Sequence, residues 1–142
     1  MRGDAARSLE LARESSGKGS RYGQFVLGLF YEFGVGGVAE DYAKALALYQ
    51  LAAAQNLDGA QWWLGYLYDL GLGVAKDVAE ALRLWQLAAA QGHPTALFSV
   101  GFFHEHGLGG VRKNKAEAIR WYRRAQAGGH PRAADAVQRL GA

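Results

Sequence analysis

Glycine recurs in this chain at a spacing that few folds accommodate. Gly28, Gly65 and Gly101 lie 37 and 36 residues apart. Each is followed six residues later by another glycine: Gly34, Gly71 and Gly107. The match continues downstream. Asp41, Asp77 and Asn114 correspond, as do Ala45, Ala81 and Ala118, and then Leu48-Tyr49, Leu84-Trp85 and Trp121-Tyr122. Ala60, Ala96 and Ala133 open the following units. Self-similarity at a period of roughly 20–50 residues marks an array of small units, each burying its apolar face against the next. Twenty glycines among 142 residues would otherwise suggest loops, but their periodic placement assigns them to turns and close approaches.

Within one period the pattern reads helix, glycine turn, helix. The first helices (A) are expected at about 20–33, 58–70, 94–106 and 131–140, and the second (B) at about 41–55, 77–91 and 114–128. Asp77-x-x-Glu80 and Asn114-x-x-Glu117 are capping-box-like starts, and Asp41 caps without the acidic third residue. Gly92 and Gly129 suit a left-handed helix end. Pro94 and Pro131 suit the first helical position, where the missing N–H is not needed. Leu9, Leu11, Ala12, Ser15, Ser16 and Gly19 align with Leu82, Leu84, Trp85, Ala88, Ala89 and Gly92. The expected organisation is therefore one domain: a half-unit B helix over 1–19, repeats over 20–57, 58–93 and 94–130, and a capping A helix over 131–142.

Ala60, Leu64, Gly65, Tyr68, Gly71, Gly73, Val74, Asp77, Ala81, Leu84, Trp85, Ala88 and Ala89 resemble the Sel-1-like repeat family, a relative of the tetratricopeptide repeats. The resemblance runs through three copies. It implies an all-α fold, a right-handed α-α superhelix (solenoid) whose A helices line the concave face. Members of the family are mostly adaptors and scaffolds, so it also implies a protein or peptide partner. The third copy departs by having Phe103-His104 where the second has Leu67-Tyr68.

At about 100° per residue, Ala60, Leu64, Leu67, Tyr68 and Gly71 share one side of their helix, and Trp62, Tyr66 and Asp69 fall opposite. The equivalents of the second set form three rows: Phe25, Trp62 and Phe98; Leu29, Tyr66 and Phe102; Glu32, Asp69 and Glu105. These nine are the candidate partner-binding residues, because aromatic side chains facing away from a core are effective interface anchors. The competing expectation is that the rings pack between neighbouring A helices. The acids stand in the last helical turn, where the macrodipole disfavours negative charge. They suit a ligand carrying Lys or Arg beside apolar groups, or else pairing with nearby Lys76, Arg112 or Lys113.

Net charge is +3, divided as −2 over residues 1–71 and +5 over 72–142. The basic half reads as a solvated helix face, and nucleic acid is not expected as a partner. No apolar run is long enough to cross a bilayer, and the first 20 residues lack the apolar core of a signal peptide. The expected location is the cytoplasm for a complete chain, or the periplasm or secretory lumen for a piece of a longer precursor. Cysteine is absent. His104 and His106 lie two apart and point to different helix faces, so neither metal nor cofactor is expected. Some relatives have been linked to β-lactam binding, and Ser15-Ser16-Gly17-Lys18 fits S-x-x-K, but the partner motifs of such hydrolases are missing. A hydrolase of β-lactam or cell-wall type is thus the weaker alternative. Another is a structural subunit that self-associates through open solenoid ends.

Overall fold

The computed structural model describes residues 2–141, and every regular element among them is helical. The order is α1 (Arg2–Gly17), α2 (Arg21–Phe33), α3 (Tyr42–Ala54), α4 (Asp58–Leu70), α5 (Val78–Ala90), α6 (Pro94–His106), α7 (Lys115–Ala127) and α8 (Ala133–Arg139). Each helix packs on its neighbours in sequence, giving the expected α-α solenoid. The last A helix begins at Ala133 rather than Pro131. The His130 imidazole accepts from the Arg132 N–H at 3.2 Å, which holds that segment in a turn.

The repeated glycines explain how the hairpins close. Gly28, Gly65 and Gly101 are buried within A helices. Tyr49, Trp85 and Tyr122 of the following B helices lie on them. A Cβ at Gly28 would stand 2.6 Å from the Tyr49 ring, at Gly65 2.5 Å from the Trp85 indole nitrogen, and at Gly101 2.8 Å from the Tyr122 ring. Each large ring thus rests on bare backbone, and the Trp85 indole N–H donates to the Trp62 carbonyl at 2.9 Å. The three rings are buried. Alanines at 45, 52, 81, 88, 118 and 125 are also buried, and their small size lets the helices approach closely.

Caps set the hairpin geometry. Asp41, Asp77 and Asn114 accept from the N–H three residues on, each at 3.0 Å. The reciprocal half of a capping box is not made. The cap residue's own N–H instead donates to a carbonyl of the preceding A helix, at Tyr31, Tyr68 or His104, over 2.8, 2.9 and 2.8 Å. Glu80 and Glu117 are thereby left to pair with Arg83 and Arg120. The A helices end on Gly34, Gly71 and Gly107 at φ of 60°, 69° and 66°. In the third copy, Phe103 fills the core against Trp85, with ring centroids 5.2 Å apart, and His104 stacks on Trp121.

A glutamine pair fastens the other end of the first two hairpins. Gln55 donates to Gln24 at 2.8 Å, and Gln91 to Gln61 at 3.0 Å. Asn56, with φ +64° the one non-glycine at positive φ among the described residues, accepts from both Gln61 and Gln91. In the third copy both positions change together, to Leu97 and Gly128. That exchange removes donor and acceptor at once and leaves no buried amide unpaired.

Gly65→Ala should lower stability by about 1–3 kcal/mol, because the methyl collides with a buried indole whose N–H is committed to the Trp62 carbonyl. At an open helical site the same change stabilises by roughly 0.5–1 kcal/mol. Urea unfolding of the variant checks the sign.

Candidate functional site

The rows that sequence places opposite the core lie on α2, α4 and α6. In the first row every ring also meets the aromatic of its own hairpin: Phe25 with Tyr49 at 5.9 Å, Trp62 with Trp85 at 6.1 Å and Phe98 with Tyr122 at 4.9 Å between centroids. The cause is the glycine three residues on. With no Cβ there, the B-helix ring reaches across the A-helix backbone to the far side. Phe25, Trp62 and Phe98 are accordingly half-buried, each with one face against the interior. Phe25 also lies over Gly59 of the next A helix, and Phe98 stacks on His130 at 4.3 Å.

The second row is more open along the array. Leu29 and Tyr66 are half-buried, whereas Phe102 is 43% exposed. Tyr66 stacks on Trp62 at 5.7 Å and 18° between planes. The Trp62 indole N–H donates to the Ser99 hydroxyl of the next A helix at 3.2 Å. The A helices are thus joined side by side through the very residues that form the candidate surface. The rings are held by their neighbours on one side, with their outer edges left open.

The acidic row departs from expectation. Glu32 and Glu105 are buried, at 3% and 8% exposure, and neither pairs with Lys76, Arg112 or Lys113. Glu32 accepts from the Tyr49 hydroxyl at 3.1 Å. Glu105 accepts from the Tyr122 hydroxyl at 2.7 Å and from both terminal nitrogens of Arg139 at 2.7 and 2.8 Å. Arg139 holds the Glu105 carboxyl down, to about 2, against the opposing effect of burial. Among the described residues Glu32 has no such cation. Burial raises its pKa, only partly countered by Tyr49, and Glu40 raises it further. The same carboxylates raise the pKa values of Tyr49 and Tyr122, after burial itself. Asp69 is half-buried and raised by burial, with Lys76 acting in the opposite sense.

The pairing of Arg139 with Glu105 escaped sequence reasoning, because it joins residues 34 apart on different helices. Its one trace is that Arg139 replaces an apolar residue at its repeat position. Also unforeseen is an exposed apolar stripe on α2 formed by Tyr22, Val26 and Phe33, with Val35 following it. Ser15 and Lys18 form no catalytic pair: Ser15 is wedged against Gly23, and the Lys18 ammonium is bound to Glu14 at 3.2 Å. Among the described residues no cluster of His, Asp and Glu has the arrangement of a metal site. No described helix is long and apolar enough to cross a membrane.

Comparison with known proteins matches the Sel1 repeat at residues 21–57, 59–93 and 94–130. Among solved structures, the chain is similar to c5321, a protective antigen present in uropathogenic Escherichia coli strains that displays an SLR fold. Identity is 33% and TM-score 0.88, over 96% of this chain and 30% of that one. It is also similar to a Sel1 repeat protein from Oxalobacter formigenes, at 31% identity and TM-score 0.86, over 94% of this chain and 56% of that one. The chain therefore spans under a third of the first relative and just over half of the second. Cysteine rich protein B of Helicobacter pylori shares the fold at 18% identity and TM-score 0.71, over 95% and 96% of the two chains. No curated protein matches the chain.

Equivalent acids in unlike surroundings should respond oppositely to neutralisation. Glu105 is ionised more readily folded than unfolded, so its contribution is full above the ordinary carboxylate range and is lost as pH falls from about 4.5 toward 2. Glu32 is raised, so its charge opposes folding at neutral pH and protonation relieves the cost. At pH 7, Glu105→Gln should lower Tm, whereas Glu32→Gln should leave it unchanged or raise it. Thermal melts at pH 7 and pH 3.5 check both signs, with the Glu105→Gln deficit shrinking at the lower pH.

Proposed function

The chain belongs to the Sel1 repeat family, and from that premise we propose that it is a protein-binding scaffold that captures a peptide segment of its partner on the concave face lined by α2, α4 and α6. Proteins of this family are generally protein-interaction scaffolds and typically non-enzymatic. The observation that carries the reading is the second row. Tyr66 and Phe102 are rings already ordered by neighbours on one side and open on the other. Docking on pre-ordered aromatics sacrifices little side-chain entropy, which is where binding surfaces gain affinity. The half-buried Phe25, Leu29, Trp62 and Phe98 serve as the floor of that surface. The occupant is a protein or peptide that is apolar where it meets the rings. The hydrolase alternative has nothing to support it, given where Ser15 and Lys18 point.

A second reading is self-association at the first unit. Val26 occupies the repeat position of Trp63, which packs on Phe33 of the preceding A helix, α2, so its exposure leaves a face of the kind covered inside the array.

Tyr66→Ala and Phe102→Ala should each weaken capture of a natural partner about tenfold, as hot-spot aromatics do. Phe102→Ala should leave Tm nearly unchanged because the ring is 43% exposed. Partner capture by the variants against the parent, with melts alongside, is the measurement. Undiminished capture by both would remove the face from consideration. Sedimentation showing a monomer at all concentrations would dismiss the second reading.

A further inference from the structure

One position of the repeat holds three carboxyls whose surroundings differ. Glu32 has a tyrosine hydroxyl, and Glu105 has a tyrosine hydroxyl and a guanidinium. Asp69 has neither. The B-helix residue facing it is Trp85, which carries no hydroxyl and commits its indole N–H to the Trp62 carbonyl. Among the described residues no side chain hydrogen-bonds Asp69 or pairs with it within 4.0 Å, and Lys76 acts on it only from farther away.

The space beside each acid differs in the same way. Arg139 stands on α8 at the position that is Phe102 on α6 and Tyr66 on α4. Its guanidinium lies on Glu105 between α6 and α8. Between α2 and α4, the larger Trp62 and Tyr66 are stacked together at the corresponding positions. Between α4 and α6 there is instead a pocket of about 270 Å³ with Asp69 on one side and Trp85, Phe98, Phe102 and Leu108 around it. The shorter phenyl rings of Phe98 and Phe102 do not fill what indole and phenol fill one repeat earlier.

We propose that this pocket seats one arginine side chain of the partner, with its guanidinium on the Asp69 carboxylate and its methylenes along Phe98 and Phe102. The inference rests on the scaffold reading and gives its partner a chemistry. The chain's own Arg139 supplies the precedent, because it satisfies the equivalent acid one repeat on with two hydrogen bonds. Arginine fits better than lysine. A planar guanidinium binds a carboxylate through two parallel bonds and stacks on aromatic faces, whereas an ammonium is more strongly hydrated and needs water around it. Burial raises the pKa of the Asp69 carboxyl, and a seated cation would lower it again.

The probe is acetyl-Leu-Arg-Leu-amide, compared with the same peptide carrying citrulline, which keeps the shape but has no charge and carries a carbonyl oxygen in place of one terminal nitrogen. In NMR titrations the arginine peptide should shift the amides of Asp69, Ser99 and Phe102 and the Trp85 indole N–H. The citrulline peptide should bind about tenfold more weakly, the worth of one partly buried charge-assisted pair. Asp69→Asn should cause the same loss, while Asp4→Asn on the exposed part of α1 should not. Phe102→Arg places a guanidinium where α8 has Arg139, so it should raise Tm and abolish the shifts. Equal binding of the two peptides, indifference to Asp69→Asn, shifts confined to another surface, or no shifts would each overturn the seat. Any of these leaves the scaffold reading standing, because that is decided by partner capture with the Tyr66 and Phe102 variants. Undiminished capture by those variants would sink the scaffold reading whatever the peptides do.

Discussion

A large ring lying on a glycine is the contact from which the rest of this array follows. Tyr49, Trp85 and Tyr122 cannot approach Gly28, Gly65 and Gly101 so closely if any side chain stands there. Glycine inside a helix costs roughly 0.5–1 kcal/mol relative to alanine. Burying a ring of this size against another helix returns more than that, since fully burying a large apolar side chain is worth about 1.5–3 kcal/mol. The same notch fixes the distance between the two helices of a hairpin. It also brings the cap residue's N–H within reach of the preceding helix, at Tyr31, Tyr68 and His104. Three hairpins built to one spacing then stack with one geometry.

That notch also shapes the candidate surface. Because the B-helix ring crosses the A-helix backbone, Phe25, Trp62 and Phe98 have one face in the interior and one edge outside. Core and candidate surface are therefore not separate sets of residues. The inner ring holds the outer one, and the Trp62–Ser99 hydrogen bond carries the support to the next unit.

Electrostatics separates copies that packing makes alike. The three acids occupy one repeat position, yet Glu105 is stabilised as an anion by Arg139, Glu32 is buried against the Tyr49 hydroxyl, and Asp69 borders a pocket. The differences arise from neighbours on other helices: tyrosine or tryptophan on the B helix, and arginine or an aromatic residue on the next A helix. Repetition supplies the frame, and local departures from repetition give equivalent residues different surroundings.

Helix positions, caps and the order of the hairpins were legible in the sequence, because they depend on residues within one period and each signal recurs three times. The left-handed ends at Gly92 and Gly129 and the aromatic rows were legible for the same reason. Helical periodicity could divide each A helix into two sides, but it counts angle and ignores side-chain length and the missing Cβ three residues on. Hence it could not show that the first row touches the interior, or that Glu32 and Glu105 are enclosed rather than open to solvent. The Gln61–Gln91 pair and the hold of Arg139 on Glu105 join residues 30 and 34 apart. Such contacts are set by how one hairpin leans on another, a distance and angle that no single period of the sequence encodes, so they were decided only when the helices stacked.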